Sequence, residues 1–297
     1  MILIVGATGN LGSEITRQLT ESGRPVRAMV RATSDPAKVD MLKGLGAEIV
    51  QGEMQDSESL DAACQGVIAV ISTVSAMPSS YLPEENNVQD VDFQGLFNLI
   101  SAGKNAGVEH FTYTSFSGGI DLDFPLRNAK RAVEEQLKAS GLVYTILRPS
   151  YFMEAWLSPA IGFDYVNGTA QLCGTGGSPI SWISVPDVAA FAVASLDNPA
   201  ARNAVIELGG PEALSPLEVV EIFEEIGGKQ FELSFVPEKT LAEQQASSDD
   251  PMQQSFAGLM LCNAKGDPID MQATLTAFPI QVTSVRDYAT RVLVPAG

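Results

Sequence analysis

Apolar segments of strand length alternate with amphipathic segments of helical length through the first half of the chain. Ile2–Val5 is apolar without interruption, which is typical of a parallel strand buried on both faces, and residues 11–22 carry apolar side chains at helical spacing. The same alternation predicts strand 26–30, helix 36–45, strand 47–51, helix 57–63, strand 67–73, helix 87–106, strand 111–115, helix 127–139 and strand 144–147. Such alternation predicts an α/β fold with a doubly wound parallel sheet.

This alternation stops after Pro149. Through residue 182, Gly, Pro and aromatic residues occur without a clear period, and we expect this stretch to leave the sheet and form a lid or a wall of a substrate site. The polar segment 238–254 is expected to be mobile. The remaining pattern predicts helix 184–196, strand 204–208, helix 215–226 opened by a capping box, strand 231–236 and a closing helix 282–294.

Three glycines spaced at three lie between the first strand and the first helix. The first would allow a tight turn, the second would let the backbone approach a pyrophosphate, and the third would let the helix pack on the strand. Unpaired N–H groups at the start of the helix would attract the anion. The alternative is a purely structural turn. The predicted cofactor-binding residues of this segment are Gly6, Thr8, Gly9, Asn10, Leu11 and Gly12.

The end of the second strand predicts which dinucleotide binds. An NAD site carries a carboxylate about 20 residues past the glycines, whereas this chain has Arg31 there, followed by Thr33, Ser34 and Lys38. A guanidinium binds phosphate in a forked geometry, so this set suits a 2′-phosphate. We therefore predict NADP(H) as the cofactor, with Arg31 and Lys38 as ligands. The alternative is that both are ordinary solvated cations.

Composition and charge exclude several classes of function. The chain of 297 residues has a formal net charge of −18, so a direct contact with nucleic acid is not expected. The three cysteines lack metal-ligand spacing and indicate reduced thiols, and the single histidine, His110, has no partners for a metal site or a Ser–His–Asp triad. No apolar run approaches the ~18 residues of a membrane span, and we expect a cytoplasmic protein without a membrane contact.

Four segments resemble the NmrA-like group of atypical short-chain dehydrogenase/reductases. They are the glycine turn 6–12, strand 108–115, the segment 143–153 and the segment 182–187. The group includes NADPH-dependent quinone reductases, triphenylmethane dye reductases and NADP-binding redox sensors without catalytic activity. The resemblance implies an NADP-binding Rossmann domain and a smaller C-terminal substrate domain. We assign residues 1–153, completed by 183–210, to the first, and residues 154–182 and 211–297 to the second.

One departure from the wider superfamily concerns the catalytic tyrosine. Short-chain dehydrogenases normally carry Tyr-x-x-x-Lys on the helix after the fifth strand, and aligning that motif through Lys130 places Leu126 at the tyrosine position. The resemblance implies that Lys130 contacts the nicotinamide ribose and adds positive charge near the hydride acceptor. The alternative is a surface lysine paired with Glu134 one helical turn away.

The ends of the predicted strands supply the other candidate residues, because ligands of such sheets bind outside the carboxyl ends of the strands. Glu53 follows the third strand and is a candidate contact of adenine, the alternative being a solvated carboxylate. Tyr113, within the fifth strand, is expected to pack in the core. The remaining predicted cofactor residues are Thr73, Val74, Ser75, Ser115, Phe116, Pro149, Ser150, Tyr151 and Phe152.

These residues predict a reductase that transfers hydride from NADPH to a small conjugated acceptor. Phe116, Tyr151, Phe152 and Trp156 would form an aromatic wall suited to a quinone or a cationic dye. Neither acceptor needs an enzymic acid in the hydride step, so this chemistry tolerates the missing tyrosine. Catalysis would rest on proximity, with Lys130 and Tyr151 as candidate catalytic residues. The alternatives are an NADP(H) sensor that acts through a protein partner and an assembly subunit that uses the cofactor structurally.

Overall fold

The computed structural model describes residues 1–77 and 86–294, and the chain divides into two compact units. The two units interleave along the sequence, because the chain passes from one to the other several times. Unit 1 comprises Met1–Ser115, Asn128–Leu147 and Val188–Ile206. Unit 2 comprises Phe116–Arg127, Arg148–Asp187 and Glu207–Gly297.

The strands form two sheets. In chain order they are β1 Ile2–Val5, β2 Val26–Val30, β3 Glu48–Gln51, β4 Ala69–Ser72, β5 His110–Thr114, β6 Val143–Pro149, β7 Phe163–Asp164, β8 Thr169–Cys173, β9 Ala204–Leu208 and β10 Glu232–Val236. The larger sheet is parallel, with the strand order β3-β2-β1-β4-β5-β6-β9. The order reverses between β1 and β4, which is the topological switch point of a Rossmann fold. The predicted doubly wound α/β sheet is therefore confirmed.

Most of the helices lie where the apolar periodicity predicts them. They are α1 Asn10–Glu21, α2 Pro36–Gly44, α3 Ser57–Cys64, α4 Leu96–Asn105, α5 Pro125–Ala139, α6 Met153–Trp156, α7 Val185–Ser195, α8 Pro216–Gly227, α9 Glu238–Ser247, α10 Pro251–Lys265, α11 Gln272–Ala277 and α12 Val285–Leu293. Short 3₁₀ turns cover Pro159–Ile161 and Pro199–Ala201. Ser215 and Glu218 form the predicted capping box at the start of α8, with both reciprocal hydrogen bonds.

Two predicted segments have a local structure that the sequence did not specify. The predicted helix 87–106 begins as a π-helix, Val88–Gly95, and only then continues as α4. The polar segment 238–254 consists of α9 and the start of α10, and its mobility stays a prediction. Asp250 caps α10 by accepting the N–H groups of Met252 and Gln253, and buried Leu241 anchors α9 in the second unit.

The stretch that follows β6 is also more regular than expected. It contains α6, β7 and β8, and β8 pairs in parallel with β10 and antiparallel with β7 to give a three-stranded sheet in unit 2. β7 has only two residues and is too short for a recognisable period.

His110 is a buried residue of unit 1. Its Nε2 lies 2.8 Å from Thr145 Oγ1, whose hydroxyl donates to the carbonyl of Ala201. Burial, assisted by the charge of Arg202, lowers the pKa of His110 to about 4. The folded protein therefore favours the neutral form of the His110 imidazole.

This burial predicts acid sensitivity. Because the unfolded imidazole titrates near 6.5, the unfolded state binds the extra proton first, so stability is intact above pH 6.5 and is lost as the pH falls toward 4. Between pH 7 and pH 4 the wild type should lose about 3 kcal/mol more of its free energy of unfolding than His110→Gln. Urea denaturation at several pH values measures this. Parallel pH profiles of the two proteins would contradict it.

Candidate functional site

The glycine turn of unit 1 is packed too closely for any other residue. Gly6 has φ +87°, and a Cβ added there would lie 2.7 Å from Thr73 Oγ1. A Cβ on Gly12 would lie 2.2 Å from the carbonyl oxygen of Gly6. Both glycines are therefore required for the strand, the turn and the helix to approach one another, as predicted for a pyrophosphate-binding turn.

The start of α1 offers backbone donors. Gly9 is the N-cap residue and has no side-chain cap, and its own N–H donates to the carbonyl of Gly6. The N–H of Ser13 already bonds to the carbonyl of Gly9. The first-turn N–H groups of Asn10, Leu11 and Gly12 have no intrahelical acceptor, so this end of the helix carries partial positive charge. Thr8 is half-buried beside the exposed Gly9.

The segment after β4 is tied to this turn. The Thr73 hydroxyl donates to the carbonyls of Val5 and Gly6, and its N–H donates to Val5. The amide nitrogen of Val74 would lie 3.1 Å from a Cβ added to Gly6. The structure therefore brings together three predicted groups of cofactor residues, namely the glycines, Thr73 and Val74. The Ser75 hydroxyl accepts the N–H of Met77 over 3.4 Å and lowers the pKa of the Asp92 carboxyl.

Arg31 and Lys38 lie after β2 and on α2. In residues 1–77 and 86–294 neither side chain has an ion-pair or hydrogen-bond partner, whereas most other arginines and lysines of this acidic protein form ion pairs. The Arg31 N–H donates to Ser34 Oγ, which fixes the turn between β2 and α2. Glu53 is exposed, with its N–H bonded to Ser59 Oγ. Its predicted adenine contact stays a prediction.

Ser115, at the end of β5, is engaged inside unit 1. Its hydroxyl donates to Glu134 Oε1 over 2.5 Å, and Arg131 Nη1 donates to the same oxygen over 2.6 Å. Glu134 is 1% exposed, so Arg131 and Ser115 together stabilise a buried carboxylate. The role of Ser115 toward a cofactor stays a prediction.

Lys130 is buried, whereas the alternative to a cofactor contact places it on the surface, paired with Glu134. Its contact with a cofactor stays a prediction. Its side chain is 4% exposed, and Nζ donates to the carbonyl of Thr114 over 3.3 Å. The ammonium lies 5.4 Å from the ring centroid of Tyr113 and 3.9 Å from Asp92 Oδ1. Tyr113 is fully buried, which confirms that it packs in the core.

In unit 2 the segment after β6 packs into an aromatic cluster. Tyr151 is buried, its ring meets Trp156 edge-on at 4.7 Å between centroids, and Trp182 lies 6.1 Å away. Its hydroxyl donates to the carbonyl of Leu259, and burial raises the pKa of Tyr151 well above 10. Phe116 and Phe152 are half-buried, and the Pro149 carbonyl accepts the N–H of Ser117.

A buried carboxylate connects two loops of unit 2. Asp267 Oδ1 accepts a hydrogen bond from Ser117 Oγ over 2.6 Å. Ser150 Oγ lowers the pKa of this carboxyl without reaching full hydrogen-bond geometry. Burial has the larger effect and raises the pKa of Asp267 above its usual range. Sequence analysis did not identify Asp267, because Lys-Gly-Asp-Pro reads as an ordinary turn.

A cavity in unit 2 adjoins the aromatic cluster. It has about 490 Å³ of empty space, part of it open to solvent, and is lined by Trp156, Leu157, Ile161, Phe163, Gln171, Leu172, Cys173, Trp182, Pro216, Phe256, Met260 and Asn263. Asn263 is 5% exposed, and in the described ranges its side-chain amide has no hydrogen-bond partner. An apolar, aromatic cavity with one unpaired amide suits a flat ligand that carries a polar substituent.

Residues 1–77 and 86–294 contain neither a metal-binding cluster nor a helix that could span a membrane. No group of His, Cys, Asp and Glu side chains there is placed to hold a metal ion. None of the helices in these ranges is both long and apolar enough to span a bilayer. Cys64, Cys173 and Cys262 are buried free thiols, and burial raises the pKa of the first two to about 11.

Comparisons with known proteins agree with this geometry. The chain is 32% identical to an NAD(P)H azoreductase of Xenophilus azovorans over 77% of this chain and 74% of that protein. It is 29% identical to the photosystem II assembly factor Ycf39 of Trieres chinensis over 80% and 72% of the two chains. The NADPH complex of the quinone oxidoreductase QOR2 from Escherichia coli superposes with a TM-score of 0.78 at 25% identity, covering 98% of this chain and 99% of that one.

The sequence model of the NmrA-like family matches residues 1–289. This match extends over both units and over every residue of the candidate site. The chain belongs to the NmrA-like family.

Proposed function

We propose that this protein is an NADPH-dependent reductase that transfers hydride to a small conjugated acceptor such as a quinone or an aromatic dye. The observation that carries the proposal is the glycine turn, in which two positions exclude any side chain and a helix start presents free backbone donors. The similarity to an azoreductase and to a quinone oxidoreductase supports the same class of reaction.

Residues of unit 1 suit NADP(H). The donors of Asn10, Leu11 and Gly12 would bind the pyrophosphate, and the close approach of Thr73 to Gly6 keeps that surface free of side chains. Arg31 and Lys38 would bind the 2′-phosphate, because both cations lack an internal partner in the described ranges. The bound nicotinamide would supply the hydride.

Residues of unit 2 suit the acceptor. The cavity beside Trp156 and Trp182 would hold a flat conjugated ring, and the unpaired Asn263 amide would donate to a carbonyl or a similar acceptor atom. Leu126 is fully buried and offers no proton. A quinone accepts hydride without simultaneous protonation, since the quinol anion is moderately stable, and a cationic dye is neutralised by hydride alone.

An anaerobic assay tests the proposal. NADPH oxidation is followed with a panel of quinones, triarylmethane dyes and azo dyes, while a separate titration confirms that NADPH is bound. The proposal predicts turnover above the protein-free rate with at least one acceptor class. Binding of NADPH without oxidation by any acceptor would contradict it.

A second candidate is an NADP(H)-binding protein that acts through a protein partner in sensing or assembly. The similarity to photosystem II assembly factors favours it, and the leucine at the tyrosine position is compatible with it. Binding without turnover in the assay above would support this candidate. Affinity for a partner that changes between NADP⁺ and NADPH would then be the measurement to make.

A further inference from the structure

Asp92 is a fully buried carboxylate on the π-helix of unit 1. Its Oδ2 accepts the N–H of Ala76 over 2.8 Å, and the nearby Ser75 hydroxyl lowers the pKa of the carboxyl without reaching full hydrogen-bond geometry. Its Oδ1 has no hydrogen-bond partner in the described residues and lies 3.9 Å from the Nζ of Lys130. One oxygen of this carboxylate is therefore used by the backbone after β4, and the other faces an ammonium.

The two charged groups depend on each other because both are buried. Lys130 is 4% exposed and Asp92 is 0% exposed, so removing either would leave an unneutralised charge inside the unit. Burial is the largest influence on both groups, so the pKa of Lys130 is lowered and that of Asp92 is raised, and their mutual attraction reduces both changes. The charge on the lysine therefore depends on the carboxylate beside it.

We propose that Asp92 is the positioning residue of Lys130, holding its ammonium at the end of β5 and keeping it charged inside unit 1. This inference rests on the proposed function only for its catalytic consequence. The pairing of the two residues is a property of the apoprotein. A neutral amine in the same place would add no positive charge near a hydride acceptor, and it would have two N–H donors instead of the three of an ammonium.

Other charges around Lys130 do not replace Asp92. Glu134, on the same helix, also raises the pKa of Lys130, but its Oε1 is bonded to Ser115 and Arg131. The guanidinium of Arg131 lowers the pKa of Lys130. Tyr113 on β5 is uncharged, because burial and the neighbouring carboxylates raise its own pKa. Asp92 is the largest favourable influence on the lysine charge.

The π-helix explains how an acid comes to occupy this position. Its buried residues are Val88, Val91, Asp92 and Gly95, so the carboxylate lies on the face that otherwise packs into the core. Single π-turns inside helices are frequent at functional sites, where they re-aim one side chain. An acid exposed to solvent would need neither the π-turn nor a position on the buried face of the helix.

Asp92→Asn tests the charge separately from the shape. The asparagine Oδ1 can still accept the N–H of Ala76, while the group facing Lys130 becomes a neutral amide. The probe is protein labelled with [ε-¹³C]lysine, in which Lys130→Gln identifies the signal of Lys130. We expect the pKa of Lys130 in Asp92→Asn to fall by at least one unit from its wild-type value. We also expect the alkaline limit of NADPH-dependent turnover to shift by the same amount, giving about tenfold less activity in that range.

Asp90→Asn is the matched control. Asp90 lies on the same π-helix, is half-buried and bonds to Asn87 rather than to Lys130, so its replacement should leave the lysine titration unchanged. An unshifted Lys130 titration in Asp92→Asn would overturn the inference, whatever the protein catalyses. A shifted titration in a protein that reduces no acceptor would uphold the pair and refute only the reductase proposal.

Discussion

Replacing Gly12 with alanine is expected to abolish NADPH binding. The new Cβ would lie 2.2 Å from the carbonyl oxygen of Gly6 and 2.9 Å from the Cα of Ala7, and both are backbone atoms that cannot move without separating β1 from α1. Forcing them apart should lower the free energy of unfolding by about 3 kcal/mol. It should also raise the dissociation constant of NADPH at least about 100-fold, because the helix start no longer meets the pyrophosphate. Denaturant titration and calorimetry measure the two effects.

Two further glycine variants separate binding from folding. Gly44→Ala is the matched control, because Gly44 is exposed at the end of α2 with no atom within 4 Å of an added Cβ. It should retain both stability and affinity. Gly9→Ala should fold, since its Cβ would meet only the Gly6 carbonyl at 3.3 Å, but it should bind NADPH more weakly. Unchanged NADPH affinity in both Gly9→Ala and Gly12→Ala would contradict the role of the turn.

Replacing both Arg31 and Lys38 with alanine is expected to remove the preference for NADPH over NADH. A hydrogen bond to a charged group contributes about 1.5–3 kcal/mol, so losing both cations should weaken NADPH binding by about 100-fold or more. NADH, which lacks the 2′-phosphate, should bind the variant as it binds the wild type. The fold should be unaffected, because neither side chain has an internal partner in the described ranges. Fluorescence titration with both cofactors measures the change.

Lys104→Ala is the control for net charge. Lys104 is exposed in the last turn of α4 and belongs to unit 1, so its loss lowers the overall charge without touching the turn after β2. It should leave both affinities unchanged. An equal loss of NADPH and NADH binding in the double variant, or a wild type that prefers NADH, would contradict the assignment of these residues.

The Rossmann sheet was predictable because its strands and helices are long and regular. β1 has the predicted bounds, and α1 begins and ends one residue before the predicted helix. The glycine spacing predicted a turn in which Gly6 and Gly12 exclude side chains. The position of Arg31 directly after β2 was predictable for the same reason, and its contact with a 2′-phosphate stays a prediction. Local pattern and tertiary position agree at these points.

Asp92 was missed although the sequence contained a signal. It occupies a helical position four residues after Val88 and one after Val91, where an apolar side chain is expected. An acid buried at such a position needs a partner, because charged side chains are almost never fully buried unless paired. Its partner is Lys130, 38 positions away in sequence, and no local rule connects the two. A helical period of 3.6 residues does not predict the π-turn that directs the carboxylate inward.

Asn263 and the cavity of unit 2 were not predictable. α10 is buried on nearly all sides, with Ser255, Gly258, Cys262 and Asn263 among its buried residues, so it shows no amphipathic period. Its start, Asp250 followed by Pro251, carried a capping signal that the polar composition of the preceding segment obscured. The cavity depends on how α10 packs against β8, which is a tertiary property.

A single-turnover experiment tests the central claim most directly. The protein is saturated with NADPH under anaerobic conditions, mixed with excess quinone, and followed at the absorbance of the reduced nicotinamide. The account predicts complete loss of that absorbance in one exponential phase, at a rate well above that of free NADPH and slowed in Lys130→Gln. Bound NADPH that stays reduced with quinones and with dyes would contradict the claim and would favour a protein that binds the cofactor without using its hydride.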